Sequence, residues 1–266
     1  MKKRYLYLTI ALLALLTSCL DEIAPDLELK EQVFISGLLT SDPDFVALEI
    51  QNTVSVVDTT FSAVNDAQVS LFTRDASGSV SLVSDSFTVN NGEYQTSEII
   101  RPTVGNTYWV EVILQDQTVL KSEEEILKTP IPIISMVKNG STVRVTVTDQ
   151  IEEENFYLVR LEVLKDGTLI SDNYGIFNDT VIEENLEEFV EIDNVNDGET
   201  VRASIYNINF NTFQFYDNVF RAQDDLGLSA LFSPINLEGN VTNTTTNELA
   251  LGNFGIAGFS TLTIDF

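Results

Sequence analysis

The side chains that could do chemistry in this chain are carboxylates, because the residue types on which most enzymes rely are scarce. The 266 residues include no histidine and one cysteine, Cys19, whereas Asp and Glu together number 41. This composition excludes Ser-His-Asp and Cys-His nucleophile systems, zinc sites built from His and Cys, and an intrachain disulfide. With only 14 Lys and Arg the formal net charge is −27, which argues against nucleic acid as a partner.

One group of residues imitates a catalytic set. Ser135 and Lys138, followed by Ser-Asp-Asn at residues 171–173, match the first two motifs of penicillin-binding enzymes, whose serine must open a helix. Here Ser135 lies in an alternating, strand-like run that turns at Asn139-Gly140. The third motif, Lys-Thr-Gly, is missing because Lys165 is the last lysine of the chain. We therefore interpret the match as a coincidence.

Acidic residues accumulate from Asp166 to Glu199, a stretch without Lys or Arg. Such a stretch could hold a divalent cation, face a partner or form a solvated loop. Calcium takes about six to eight oxygen ligands, and residues Asp193 to Gly198 lack the alternating ligands and the final Glu of an EF-hand. We expect a solvated loop, with no metal site and no cofactor.

Two carboxylates could also serve as acid and base in a glycosidase, where their separation in space decides the outcome. The sequence does not give that distance, and the alternating, strand-like runs of the chain, which are typical of small β-sandwiches, do not imply a cleft. We therefore predict no enzymatic activity and no catalytic residues.

The first 18 residues have the features of a secretory signal. Lys2-Lys3-Arg4 forms a basic start, and the apolar run from Tyr5 to Leu16 is shorter than the ~20 residues that a spanning helix needs. The segment ends in Leu16-Thr17-Ser18-Cys19, which resembles a bacterial lipobox, where the cysteine thiol receives a diacylglycerol. We predict a signal peptide over residues 1–18, a lipid on Cys19 and a tether over residues 19–30, so that the protein is anchored to a membrane.

The residues just after Cys19 indicate which membrane. Leu20-Asp21-Glu22 resembles the export signal that sends lipoproteins of Bacteroidota to the outer face of the outer membrane. We therefore expect a lipid-anchored protein of the outer membrane that is exposed at the cell surface.

Apolar and polar residues alternate with a period of two over most of the remaining chain, as in half-buried strands. Val143, Val145 and Val147 follow this pattern, and so does the run from Tyr157 to Val163. Residue pairs that accept the positive φ of tight turns separate such runs. These pairs are Asn91-Gly92, Asn139-Gly140, Asp166-Gly167 and Asp197-Gly198. The pattern predicts a mostly β fold of antiparallel β-sandwiches.

Two prolines in the run Lys128 to Pro132 mark the best domain boundary, because they remove backbone donors and force an extended chain. They follow the acidic run Glu123-Glu124-Glu125. We predict an N-terminal sandwich over residues 31–127, a linker over 128–132 and a C-terminal sandwich over 133–266. The last strand is expected to run from Phe259 to Phe266.

One segment has a helical period instead. Residues 211–226 place Phe213, Tyr216 and Phe220 on one face, with Asn211 as a cap and Gly227 just beyond the end. We predict one short helix there, in the second sandwich. Its aromatic stripe is expected to face the core rather than a ligand.

The layout resembles domain-of-unknown-function family 4249, lipoproteins of Bacteroidota that are usually encoded beside TonB-dependent receptors. The likeness covers nearly the whole mature chain. It is carried by Cys19-Leu20-Asp21-Glu22, by the runs at residues 33–40, 67–71, 92–94 and 104–112, and by Leu231-Phe232-Ser233-Pro234, Asn240 and residues 251–255. The chain departs from the family pattern in its single proline after Ser233 and in a Thr- and Asn-rich stretch over residues 240–247.

The resemblance implies an immunoglobulin-like or carboxypeptidase-regulatory-like first sandwich. It also implies a non-enzymatic accessory subunit that docks on a TonB-dependent β-barrel receptor and helps to capture a nutrient. The alternative is a stand-alone lipoprotein for adhesion or for carbohydrate or peptide binding. Gene neighbourhood would separate the two.

Overall fold

Strands make up most of the computed structural model, which describes residues 32–53, 62–148, 154–178, 187–224 and 238–266. This confirms the predicted mostly β fold and β-sandwich architecture. In the described residues of the first half, the strands are β1 (Val33–Thr40), β2 (Ala47–Asn52), β3 (Ser62–Ala63), β4 (Gln68–Arg74), β5 (Val80–Ser84), β6 (Phe87–Asn90), β7 (Glu93–Thr96), β8 (Thr107–Ile113), β9 (Val119–Ser122) and β10 (Glu125–Ile126).

The second half contributes eight more strands and one helix within the described ranges. The strands are β11 (Ile133–Asn139), β12 (Thr142–Thr148), β13 (Phe156–Lys165), β14 (Thr168–Asn178), β15 (Glu187–Ile192), β16 (Thr200–Ile208), β17 (Glu238–Asn243) and β18 (Glu248–Asp265). The helix, α1, spans Phe210–Asp224.

The first core lies inside a sheet that runs β5-β4-β8-β9-β17-β18-β1-β2-β7-β6. Alternate residues of its strands point inward, and the fully buried members include Ile35, Ile50 and Leu71. The second core lies between the sheet β14-β13-β16-β18 and the three-stranded sheet β11-β12-β15. Each core buries one face of each sheet, as the period of two predicts.

Strand β18 belongs to both cores, and here the structure differs from the predicted division at residues 128–132. Its first half pairs in parallel with β1, from Phe34↔Leu251 to Thr40↔Ala257, while its second half pairs antiparallel with β16. Strand β17 pairs with β9 of the first sandwich. The stretch 133–266 therefore forms the second sandwich and also contributes β17 and the first half of β18 to the first, and residues 31–266 form one compact unit.

Two of the four predicted tight turns have both residues at positive φ; at Asn139-Gly140 only Gly140 does, and Asp197-Gly198 joins β15 to β16, which do not pair. Asn91 and Gly92, between β6 and β7, have φ values of 49° and 84°, and Asp166 and Gly167, between β13 and β14, have values of 51° and 77°. Two successive positive φ angles twist the chain in the sense that adjacent antiparallel strands require. The local residue pairs thus decide these hairpins.

The predicted helix is confirmed, with a different start. Asn211 was predicted to be its cap, but α1 begins at Phe210 and Asn211 lies in its first turn. The Phe213 amide donates to the backbone carbonyl of Asn209, 3.0 Å away. Asn211 instead donates from Nδ2 to Glu123 Oε2 in the first sandwich. The helix start is therefore fixed by a tertiary contact that the local sequence does not show.

Candidate ligand-binding cleft

Strand β13 has two different faces because successive side chains point in opposite directions. The apolar side chains at odd positions from Tyr157 to Val163 are buried in the second core. Leu158, Arg160 and Glu162 alternate with them and therefore lie on the opposite face of the sheet. The Phe156 ring, on that opposite face too, packs 5.1 Å from the ring of Phe213 in α1.

Helix α1 leaves a cleft of about 860 Å³ beside this face of the sheet. The volume is in the range of small-molecule sites, which span roughly 300–1,000 Å³. The cleft is lined by Leu38 of β1, Leu158 and Arg160 of β13, Asp172, Asn173, Tyr174, Gly175 and Ile176 of β14, Tyr206 of β16, and Tyr216, Val219 and Phe220 of α1. It thus combines an aromatic wall with one short polar edge.

The polar edge is formed by Arg160 and Asp172, which belong to a row of charged residues across three strands. Glu162 lies directly opposite Asp172 of β14 and Arg202 of β16. Its carboxylate is 2.6 Å from Arg202 Nε and 3.1 Å from Arg160 Nη2. Only 4% of the Glu162 side chain is exposed, and the hydrogen bond from Arg202 outweighs burial and holds the pKa of Glu162 below its usual value. Glu162 therefore stays ionised and positions both arginines.

Arg160 is the cationic residue among the described residues that line the cleft. Its Nη2 lies 3.4 Å from Asp172 Oδ2, and its guanidinium carbon lies 5.2 Å from the centre of the Tyr174 ring. The Nε atom is buried and has no hydrogen-bond partner among the described residues. The guanidinium is thus held rigidly by carboxylates and an aromatic face, with a donor left over.

The aromatic wall is a connected set of rings. The stripe Phe213, Tyr216 and Phe220 packs against a buried cluster, as predicted, but Tyr216 and Phe220 also line the cleft. The Phe220 ring centre lies 6.5 Å from that of Tyr174 and 6.0 Å from that of Tyr216, so the rings join helix α1 to strand β14. Burial raises the pKa of the phenols of Tyr174, Tyr206 and Tyr216. These phenols therefore remain neutral at physiological pH and offer hydrogen bonds without charge.

The start of α1 is held by a buried carboxylate. Glu125 is 5% exposed, and its Oε1 accepts a 3.0 Å hydrogen bond from Asn240 Nδ2. Its Oε2 accepts three more, from Asn209 Nδ2 at 3.2 Å, from Thr212 Oγ1 at 3.3 Å and from the Ile256 amide at 3.3 Å. These partners come from the start of α1, β17 and β18, so one carboxylate ties three elements to β10.

Burial raises the pKa of Glu125 to about 7, although the four hydrogen bonds oppose the shift. All four partners are neutral donors, so the carboxylate is solvated by dipoles rather than by a cation. The helix that bears part of the cleft wall is therefore anchored at its first turn through a group that titrates near neutral pH.

The comparisons with known proteins identify the family. The domain of unknown function DUF4249 matches residues 21–263. The chain belongs to this family. A search of the curated proteins finds no match.

Two solved structures show weak similarity to this DUF4249 chain. The chicken interferon gamma receptor alpha chain is 15% identical, with a TM-score of 0.22, over 66% of this chain and 88% of the receptor chain. Trypsin-activated alpha-2-macroglobulin from Escherichia coli is 10% identical, with a TM-score of 0.25, over 67% of this chain and 14% of the other.

The penicillin-binding-like residues of this DUF4249 chain lie on different sheets. Ser135 and Lys138 belong to β11 of the three-stranded sheet, whereas Ser171 belongs to β14. Lys138 Nζ lies 2.6 Å from Asp197 Oδ1. Ser135 and Lys138 thus lie on a strand, as predicted, and not one helical turn apart as the catalytic pair requires.

The acidic stretch is only partly described, because residues 179–186 lie outside the described ranges. Within those ranges no group of three or more His, Cys, Asp or Glu residues could hold a metal ion. Asp193 accepts a hydrogen bond from Thr142, Asp197 pairs with Lys138, and Glu199 accepts from Asn196. These carboxylates stabilise turns and strand ends.

Cys19, with the predicted signal and tether, also lies outside the described residues. Among the residues that are described, no helix is long and apolar enough to cross a bilayer.

Sequence reasoning missed the cleft. It expected no cleft from two small sandwiches, but α1 lies across a sheet face and forms one. A usable signal was present: Arg160 and Glu162 occupy the polar face of an otherwise apolar strand, and Arg202 occurs in another such strand. Charged residues on that face of a central strand need partners, which indicates a covered, polar site.

Proposed function

We propose that this protein is a non-enzymatic, lipid-anchored ligand-capture protein of the outer membrane. It acts at the cell surface as an accessory subunit of a TonB-dependent receptor. The observation that carries ligand capture is the cleft between α1 and the sheet β14-β13-β16-β18, with its aromatic wall and its fixed charged edge. A rigid, concave, partly apolar site with a few placed polar groups is what small-molecule binding requires.

The chemistry of the cleft favours binding over catalysis. Among the described lining residues, the carboxylate of Asp172 pairs with Arg160, and the phenols of Tyr174, Tyr206 and Tyr216 have raised pKa values and stay protonated. A general base near neutral pH needs a proton acceptor poised to titrate there. Glu125 does titrate near pH 7, but it is buried among Asn and Thr side chains and is not part of the cleft lining.

The anchor and the receptor partner rest on the sequence. The run Leu16-Thr17-Ser18-Cys19 supports lipidation, the acidic residues after Cys19 support surface exposure, and membership of the DUF4249 family supports a receptor partner through its usual genetic context. A protein held at the surface in this way would collect a ligand from outside and pass it to the barrel.

Ligand capture is tested by filling the cleft. Val219 lines it from α1, and Val219→Trp adds an aromatic bulk there, whereas Val219→Ala removes volume and serves as the control. The full-length protein in detergent is equilibrated with an ultrafiltrate of yeast extract, and retained molecules are measured by native mass spectrometry. Wild type and Val219→Ala are expected to retain a small molecule that Val219→Trp does not. Equal retention by all three folded proteins would contradict capture at this site.

The anchor and the partner need a separate experiment. Protease treatment of intact cells is expected to degrade the wild-type protein, and a tagged copy purified from solubilised outer membranes is expected to bring a β-barrel receptor with it. The Cys19→Ala variant should be lost from the membrane fraction. Protection from protease and the absence of a co-purified barrel would contradict surface exposure and the accessory role.

A further inference from the structure

The two walls of the cleft differ in a way that points to a class of ligand, an inference that rests on the proposed capture function. One wall is the ring cluster of Tyr174, Tyr216 and Phe220. The other is the polar edge formed by Arg160 and Asp172, whose charges are already paired with each other. A ligand must therefore offer an apolar face to the rings and several hydrogen-bonding groups to the edge.

We propose that the cleft binds a neutral oligosaccharide. The charge balance sets the first condition: Arg160 contacts both Glu162 and Asp172, so its positive charge is compensated before a ligand arrives. The net charge of −27 repels anionic ligands from the whole surface. An acidic sugar or a phosphorylated ligand would therefore gain little from Arg160, the one guanidinium among the described residues that line the cleft.

The hydrogen-bonding groups suit vicinal hydroxyls. A planar guanidinium offers parallel donors and a carboxylate offers parallel acceptors, and adjacent hydroxyl groups act as both donor and acceptor. Arg160 Nε is buried, so a ligand hydroxyl would bond to the terminal nitrogens of the guanidinium, whose side chain is 31% exposed. Asp172 Oδ2 lies 3.4 Å from Arg160 Nη2, so the donor and the acceptor are adjacent.

The rings supply the complementary surface. The C–H groups of a pyranose form an apolar face that packs on an aromatic ring, and the partial positive charge of C–H groups is attracted to the negative ring face. Tyr174 is 46% exposed and already lies against Arg160, so one residue borders both the aromatic and the polar wall. An aliphatic peptide can cover the rings with its side chains, but only its backbone amides can bond to Arg160 and Asp172, whereas each pyranose carries an apolar face and several hydroxyls on one ring.

The inference is tested with chemically defined probes and variants of exposed residues. Isothermal titration of the full-length protein in detergent would use maltotetraose, cellotetraose, xylotetraose and chitotetraose, with tetra-alanine and tetraleucine as peptide probes. At least one oligosaccharide is expected to bind. Tyr174→Ala and Asp172→Ala are each expected to weaken its affinity by about tenfold or more, the equivalent of about 1.4 kcal/mol. Binding is measured by calorimetry rather than by tryptophan fluorescence, because Trp109 is in strand β8 of the first sandwich.

The matched control is Leu169→Ala, an exposed apolar residue on the same strand that does not line the cleft. It should leave the affinity within about twofold, and Tyr174→Phe should lie between wild type and Tyr174→Ala. Binding of a peptide that depends on Tyr174, without binding of any sugar, would overturn the oligosaccharide inference and leave ligand capture standing. Binding of no probe by a protein that melts normally would overturn the inference, and the Val219 experiment would then decide the proposed function separately.

Discussion

Asn240 donates a 3.0 Å hydrogen bond to Glu125, a residue 115 positions earlier in the chain. The same Asn240 accepts from the Phe254 amide at 2.9 Å and donates to the Phe254 carbonyl at 2.9 Å. It therefore fills a gap in the pairing of β17 with β18 while it solvates a buried carboxylate. This contact connects the end of the first sandwich to the chain's final strands.

The free energy of unfolding is expected to depend on pH through Glu125. Its pKa in the folded state, about 7, lies above the unfolded value of 4.5, so the folded protein binds more protons between these values. Stability should then fall by roughly 3 kcal/mol as the pH rises from about 4.5 to above 7. Urea unfolding at a series of pH values between 5 and 8 measures this slope, and Glu125→Gln should remove it.

Glu124→Gln is the matched control for that prediction. A hydrogen bond from Arg74 lowers the pKa of Glu124, so its contribution to stability is present above its unfolded pKa and is lost only at more acidic pH. The variant should leave the slope between pH 5 and 8 intact. A Glu125→Gln protein that keeps the wild-type slope would show that Glu125 is not the source.

The three adjacent residues Glu123, Glu124 and Glu125 show what the sequence could and could not predict. They look alike in the sequence, but Glu123 contacts Asn211 of α1, Glu124 forms a two-bond pair with Arg74, and Glu125 is buried. The hairpins were predictable because their turn residues are adjacent. The contacts of these carboxylates depend on partners between 50 and 131 residues away, which local patterns do not reveal.

The difference between local patterns and contacts with distant residues also explains what the sequence could predict of the domain organisation. The final strand was predicted from the alternation of Phe259 to Phe266, but nothing local shows that the preceding residues return to the first core. Their inward side chains, Phe254 and Ile256, are as apolar as those of any other strand. The cleft was missed for the same reason, since it exists only where α1 crosses strands that are distant in sequence.

Gly252→Ala is expected to unfold the protein or destabilise it severely. Gly252 lies in β18 with φ +104°, and a Cβ there would be 1.8 Å from the backbone oxygen of Ile35 in β1. The backbone of β1 cannot move away without breaking the parallel pairing. The control is Gly105→Ala, where φ is +87° but a Cβ meets nothing within 4 Å. That variant should lose only about 1 kcal/mol of unfolding free energy, the cost of the positive φ alone. Thermal unfolding of both variants therefore separates the cost of the steric clash from the cost of the backbone conformation.

Deletion of residues 259–266 is expected to abolish cooperative unfolding of the second core. These residues pair with β16 from Tyr206↔Phe259 to Thr200↔Asp265, and Leu262, Ile264 and Phe266 pack against that core. Circular dichroism during heating measures the effect. Thr263→Ala, a point change on the same strand that keeps its pairing, is the control. A truncated protein that melts like the full chain would refute this role.

Arg202→Met is expected to cost about 3 kcal/mol because it removes a partner from a buried carboxylate. Glu162 is 4% exposed and lies 2.6 Å from Arg202 Nε, so its charge would keep only the contact with Arg160. The control is Arg144→Met, since Arg144 pairs with Glu191 at 2.7 Å but both side chains are well exposed, at 55% and 39%. That change should cost less than about 1 kcal/mol.

The loss of stability in Arg202→Met could come from the unpaired Glu162 charge or from lost packing of the arginine stem. The double variant Arg202→Met with Glu162→Leu separates these two causes. If the cost comes from a stranded charge, replacing both partners by apolar side chains should recover most of the stability, and urea unfolding would show a coupling energy of about 1 kcal/mol or more. If it comes from lost packing of the arginine stem, the double variant should be no more stable than Arg202→Met. The first result is expected, because Glu162 is far more buried than the 44% exposed Arg202 side chain.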